Sequence, residues 1–171
     1  MKAKNSIALT GFMGVGKSSV ARHLSAITGF KQVDLDRYIE KCSGRKIAEI
    51  FDHDGEAAYR DLETEHLKTL LADTDAAIVS LGGGTWTIER NRAIIRSHGL
   101  ISVWLESTFE HCWQNIRKSR KERPLARNKK AAQELFDSRQ SVYCLADWHF
   151  IVRPEFNSYE IAQQIAEQVL S

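Results

Sequence analysis

The segment Gly11-Phe12-Met13-Gly14-Val15-Gly16-Lys17-Ser18 fits the pattern G-x-x-x-x-G-K-S/T. Glycines let a loop curl until successive backbone N–H groups face one anion. The lysine reaches the terminal phosphates of a nucleotide, and the hydroxyl that follows it suits Mg2+. Gly14, Val15, Gly16, Lys17, Ser18 and Ser19 are therefore the expected phosphate contacts, with Ser18 also an expected metal ligand. A second cluster follows in Asp34-Leu35-Asp36. Alternate residues of an extended chain face the same side. One carboxylate is then free to support Mg2+, and the other to accept or orient the proton of an attacking hydroxyl. The competing reading is a solvated turn, or Asp36 capping a helix that begins at Arg37.

Three more stretches carry chemistry. Arg60 stands three residues before Glu63, which reads either as a surface intrahelical pair or as an arginine held by an acid and aimed at an anionic substrate. Gly82-Gly83-Gly84 strips side chains from one short stretch, so that backbone can approach a ligand closely. The segment 118–130 holds Lys118, Arg120, Lys121, Arg123, Arg127, Lys129 and Lys130 with a single acid, Glu122. It reads as a solvated face, a nucleic-acid patch, or a mobile lid that brings arginine to a transferring phosphoryl; beside a phosphate loop the lid is favoured.

The elements that must position these residues follow from hydrophobic pattern. Apolar runs at 7–10, 30–35, 76–81, 100–105 and 149–152 read as strands. Helical spacing marks 19–28, a short piece around Ile47, Ile50 and Phe51, then 55–71, 88–97, 109–118, 131–146 and 159–170. Five strands alternating with helices imply an α/β fold with a parallel sheet covered on both faces. Ligands bind such sheets beyond the carboxyl ends of the strands. The phosphate loop, Asp34 with Asp36, and Gly82–Gly84 all fall at those ends, so they should share one cleft.

With 171 residues, 43% hydrophobic and 27% charged, the chain reads as one globular domain. A formal charge of +2 implies no polyanionic partner, and no motif of nucleic-acid recognition is present. No apolar run reaches membrane-spanning length, and Met1–Ser6 has no signal-peptide core. Cys42, Cys112 and Cys144 show no metal spacing and read as reduced thiols, buried as small hydrophobes in a cytoplasmic protein. His111-Cys112 reads as incidental.

In order and spacing these motifs resemble shikimate kinases, small P-loop enzymes of the nucleoside-monophosphate-kinase type. The resemblance rests on Gly11–Ser18, on Asp34-Leu35-Asp36 continuing through Ile39-Glu40, on 47–63 with its Gly-Glu-x-x-aromatic-Arg core, and on Gly82-Gly83-Gly84. Arg123-Pro124-Leu125 is similar to the family's lid motif, and Arg139 with Tyr143 to its late arginine helix. The resemblance implies a five-stranded sheet of order 2-3-1-4-5, a substrate region over 34–63 and a lid over 118–130. It implies transfer of the ATP γ-phosphoryl to the 3-hydroxyl of shikimate by a cytoplasmic monomer using Mg2+. Lys17, Asp36 and Arg123 would be catalytic, with Asp36 as base. Ser18 and Asp34 would hold the metal. Arg60 and Arg139 would hold the shikimate carboxylate, and Gly82, Gly83 and Gly84 would line its pocket. Arg117 would contact adenine, with Arg120 as the alternative and Arg153-Pro154 flanking it. Ala126 stands where the family's lid has a second leucine, and Cys144-Leu145 replaces a polar pair after Tyr143. The competing functions are a kinase of another hydroxy acid such as gluconate, a nucleotide-binding module without catalysis, and nucleic-acid binding through the basic stretch.

Overall fold

The computed structural model describes residues 5–171; of the leader reading over Met1–Ser6, the first four residues lie outside the described part. The first strand, β1 (Ser6–Thr10), presents Ile7, Ala8 and Leu9 fully buried, as expected of a strand covered on both faces. It is central, pairing in parallel with β3 (Ile78–Ser80) on one side and β4 (Leu100–Glu106) on the other. The outer strands are β2 (Gln32–Asp34) beside β3 and β5 (Trp148–Ile151) beside β4. The order is therefore 2-3-1-4-5, all parallel, as the resemblance implied.

The helices are α1 (Lys17–Thr28), α2 (Leu35–Ser43), α3 (Ile47–Asp54), α4 (Glu56–Asp73), α5 (Glu89–Ser97), α6 (Phe109–Lys118), α7 (Lys129–Tyr143) and α8 (Ser158–Ile165). Helix α1 packs on α8, while α4 packs on α2, α3 and α5. The final helix widens into a single π-type turn over Ala166–Leu170. Trp86 is the largest fully buried side chain, and its indole N–H donates to the Val142 carbonyl at 3.0 Å. That bond pins α7 to the turn after β3 without leaving the indole unpaired.

The structure corrects the sequence reading of the second strand and of the cysteines. Strand β2 ends at Asp34, and Leu35 already begins α2. Among the three cysteines only Cys112 is buried; Cys42 and Cys144 are exposed.

Candidate active site

The chain leaves β1 at Thr10 and re-enters regular structure at Lys17, the first residue of α1. The loop between them is braced from behind. Gly14 has φ +82°, and a Cβ there would lie 2.5 Å from the Cys112 carbonyl oxygen of α6. The Asn115 side-chain amide donates to the Gly14 carbonyl at 2.8 Å. Lys17 folds back so that its ammonium donates to the carbonyls of Gly11 at 2.6 Å and Phe12 at 3.1 Å. Burial pulls its pKa down from 10.5 to about 8, and the nearby Asp36 carboxylate opposes that shift only in part. The loop thus presents a desolvated lysine beside the positive end of a twelve-residue helix, a pairing that attracts phosphate.

Asp34 and Asp36 come together by a different route from the alternation read in the sequence. Asp34, still extended, is the N-cap of α2, and its carboxylate accepts the Arg37 amide at 3.2 Å. Such a cap contributes about 1 kcal/mol. Asp36 sits in the helix's first turn, so Asp34 and not Asp36 is the capping residue. The other Asp34 oxygen accepts the Ser18 hydroxyl at 2.9 Å. A hydroxyl and a carboxylate side by side form a hard-oxygen pair that fits Mg2+, which takes few protein ligands and completes its shell with phosphate and water. No group of three or more His, Cys, Asp or Glu is placed to hold a metal among the described residues.

The phosphate loop borders a cleft of about 560 Å3, and an adjoining pocket of about 100 Å3 opens beside it. Met13, Asp36, Gly82, Gly83, Lys121 and Arg123 line both. The smaller pocket adds two guanidinium groups, those of Arg60 and Arg139. Arg60 forms the pair foreseen with Glu63, at 2.9 Å, but inside the protein: the side chains are 12% and 1% exposed. Glu63 also accepts the Thr85 hydroxyl at 2.9 Å and the Tyr59 hydroxyl at 3.3 Å. Burial pushes the Glu63 carboxyl up, against the pull of Arg60 and Thr85. The triple glycine gives these groups room. A Cβ on Gly84 would run into the Arg60 guanidinium, and one on Gly82 would lie 2.7 Å from Asp36. Arg139 is buried, and its Nη1 has no hydrogen-bond partner. One turn later, the Tyr143 hydroxyl donates to the Gly83 carbonyl at 2.5 Å, and burial pushes its pKa up to about 12. A pocket with one paired arginine, one unsatisfied arginine and a nearby carboxylate can pair an anionic group and accept a hydrogen bond from a hydroxyl.

The segment after α6 lines both cavities through Lys121 and Arg123 and ends in a 3-10 turn at Pro124–Ala126. Arg123 points inward; its Nε is buried without a partner, and burial lowers its pKa against the pull of Asp36. Arg127 reaches Asp52 of α3 at 2.8 Å. Arg117 lies in an outer cleft with Trp113 and Pro124, and Arg120 lines another that also borders Asp34, Asp36 and Glu40. Neither lines the cleft at the phosphate loop. Besides the loop, that cleft is lined by His111 and Asn115 of α6 and by Val152, Phe156, Asn157 and Ser158. The sequence reading missed these residues, and it took His111 as incidental.

A phosphate loop on the central strand of a sheet with this order defines a P-loop kinase. Comparison with known proteins narrows the class. The family model described as "Shikimate kinase" matches residues 13–170. The chain is 36% identical over 164 residues to shikimate kinase of Persephonella marina, covering 95% of this chain and 98% of that one. It is 40% identical over 138 residues to that of Streptococcus thermophilus, covering 79% and 82%. Shikimate kinase from Acinetobacter baumannii in complex with shikimate superposes with a TM-score of 0.87 at 31% identity, covering 99% of this chain and 94% of that one. The chain belongs to the shikimate kinase family, and it is an ATP-dependent kinase.

Proposed function

We propose that this protein transfers the γ-phosphoryl of ATP to the 3-hydroxyl of shikimate, acting with Mg2+ as a cytoplasmic monomer. The observation that carries this reading is the sharing of Asp36, Gly82 and Gly83 between a phosphate-loop cleft and a pocket holding Arg60 and Arg139. A nucleotide on the loop and a carboxylate on the two arginines then meet across Asp36. No helix of the described residues is long and apolar enough to cross a membrane.

In this reading the chain works by positioning and charge. Arg60 and Arg139 orient the acceptor through its carboxylate, and Asp36 takes the proton of its hydroxyl. Lys17, Arg123 and the loop N–H groups at Gly14–Ser19 neutralise the phosphate oxygens. Ser18 and Asp34 would hold Mg2+, which supplies charge neutralisation on the phosphates when bound. The part of the cleft lined by Val152, Phe156, Asn157 and Ser158 takes the base and ribose; Arg117 or Arg120 would reach adenine only by a movement of the lid segment.

The test is ADP release by the purified protein with Mg·ATP, with shikimate, with gluconate and with neither. Stimulation by shikimate alone is expected. Equal stimulation by gluconate overturns the acceptor assignment. The Asp36→Ala variant should lose turnover by orders of magnitude while still binding ATP; near-normal turnover removes Asp36 from its role.

A further inference from the structure

Lys121 lies two residues before Arg123, outside the Arg-Pro-Leu motif. Its ammonium donates to Asp36 Oδ2 at 3.0 Å, with side chains 52% and 21% exposed. It lines the phosphate-loop cleft and the acceptor pocket alike, so it stands on the boundary that a transferred phosphoryl must cross. Lys17, Lys121 and Arg123 line one cleft around the Asp36 carboxylate, and Lys17 lies close enough to feel all three of the other charges. One carboxylate leaves that group with an excess of positive charge. Arg123 Nε, buried and unpartnered, already marks a missing anion at this place.

Under the function proposed above, on which this inference rests, the acceptor hydroxyl needs the Asp36 carboxylate, one oxygen of which, Oδ2, Lys121 holds. An ion pair with a half-exposed lysine is weak and readily exchanged. The lysine's flexible four-carbon stem lets its charge move without moving the backbone. We propose that Lys121 is a further catalytic residue: the acceptor hydroxyl displaces its ammonium from Asp36, and the released ammonium turns to the oxygens of the transferring phosphoryl beside Arg123. In the step, the bond from the γ-phosphorus to the oxygen bridging to the β-phosphate breaks. A new bond forms from that phosphorus to the acceptor oxygen, the hydroxyl proton passes to Asp36, and ADP departs. Lys121 keeps its proton throughout and acts as charge alone.

Lys121→Met removes the charge and keeps the length, and Lys121→Arg restores the charge. The measurements are kcat and KM with Mg·ATP and shikimate, calorimetric shikimate binding without nucleotide, and a thermal melt to show that each variant folds. The expected result for Lys121→Met is a kcat about 100-fold lower, as for loss of one transition-state donor. Its shikimate Kd should be unchanged or tighter, because a competitor for Asp36 is gone. Lys121→Arg should recover most of the loss. The proposal is overturned if kcat of the methionine variant stays near normal or rises, if it falls only together with weaker shikimate binding, or if arginine is as slow as methionine. Absence of shikimate-dependent ADP release in the unsubstituted protein would remove the function reading itself, a separate failure.

Discussion

The Tyr143 hydroxyl donates to the Gly83 carbonyl at 2.5 Å, joining the last turn of α7 to the triple glycine after β3. Arg139 stands one turn earlier on the same helix, so one bond sets the distance between a buried guanidinium and the opposite wall of the pocket. Tyr143→Phe should leave the Gly83 carbonyl without its partner and lower stability by about 1–3 kcal/mol. It should raise the KM for shikimate more than that for ATP. Chemical denaturation and steady-state kinetics check the two parts; equal changes in both KM values would disconnect this bond from the acceptor pocket.

Gly84 is kept small by Arg60, whose guanidinium fills the space a side chain would take. Gly84→Ala should push Arg60 off its position and weaken shikimate binding at least tenfold, with nucleotide binding little changed. Separate calorimetric titrations of the two ligands decide it.

Removing Glu63 tests how Arg60 is held. The pair is buried, and taking away one partner of a buried pair costs about 3–5 kcal/mol because the other charge stays behind. Glu63→Ala should therefore melt well below the parent protein. Glu63→Gln retains groups for Tyr59 and Thr85 and should lose less. A melting point unchanged in both variants would show that Arg60 is held by something else.

Lys17 gives a pH dependence. Its pKa falls from 10.5 to about 8 on folding, so below pH 8 both states carry the proton and the fold bears the full penalty of burying it. Between about 8 and 10.5 the unfolded chain binds more protons than the folded one, and stability rises with pH through that window. Phosphate supplies the missing counter-charge and raises the pKa again. Nucleotide binding just above pH 8 should thus take up a proton, and affinity should fall as pH rises further. Calorimetry in two buffers of different ionisation heat reads the uptake directly. Lys17→Met should abolish it.

Much of this architecture was legible in the chain. The apolar runs at Ile7–Leu9 and around Ile78–Val79 are buried on both faces, and their shortness between turn signals marks them as strands of a covered parallel sheet. The phosphate loop announces itself because the ligand contacts are backbone groups of consecutive residues. The Asp34-Leu35-Asp36 pair was found, but through the wrong geometry. Period-two alternation was applied across a point where N-cap chemistry had already turned the strand into a helix. His111 and Asn115 were missed for another reason: Asn115 meets Gly14 across 101 positions of sequence, and one polar residue on a helix gives no local sign of such a partner. Lys121 was seen only as one charge among many, since nothing in a basic run tells which cation will reach a carboxylate 85 positions away.

The place of β1 in the sheet has a consequence for biosynthesis. It leaves the ribosome before either strand it pairs with, for its neighbours are Ile78–Ser80 and Leu100–Trp104. A nascent chain must carry Ile7, Ala8 and Leu9 without a strand partner until β3 has emerged, and with one edge unpaired until β4 follows, which exposes an apolar segment to chaperones. The phosphate loop waits longer still, because its brace is α6. Chains arrested after β3 contain the whole G-x-x-x-x-G-K-S motif but should gain no protease protection from ATP. Protection should begin only once the chain passes Lys118, so the nucleotide can act as a folding ligand only late, after the sheet has closed around its first strand.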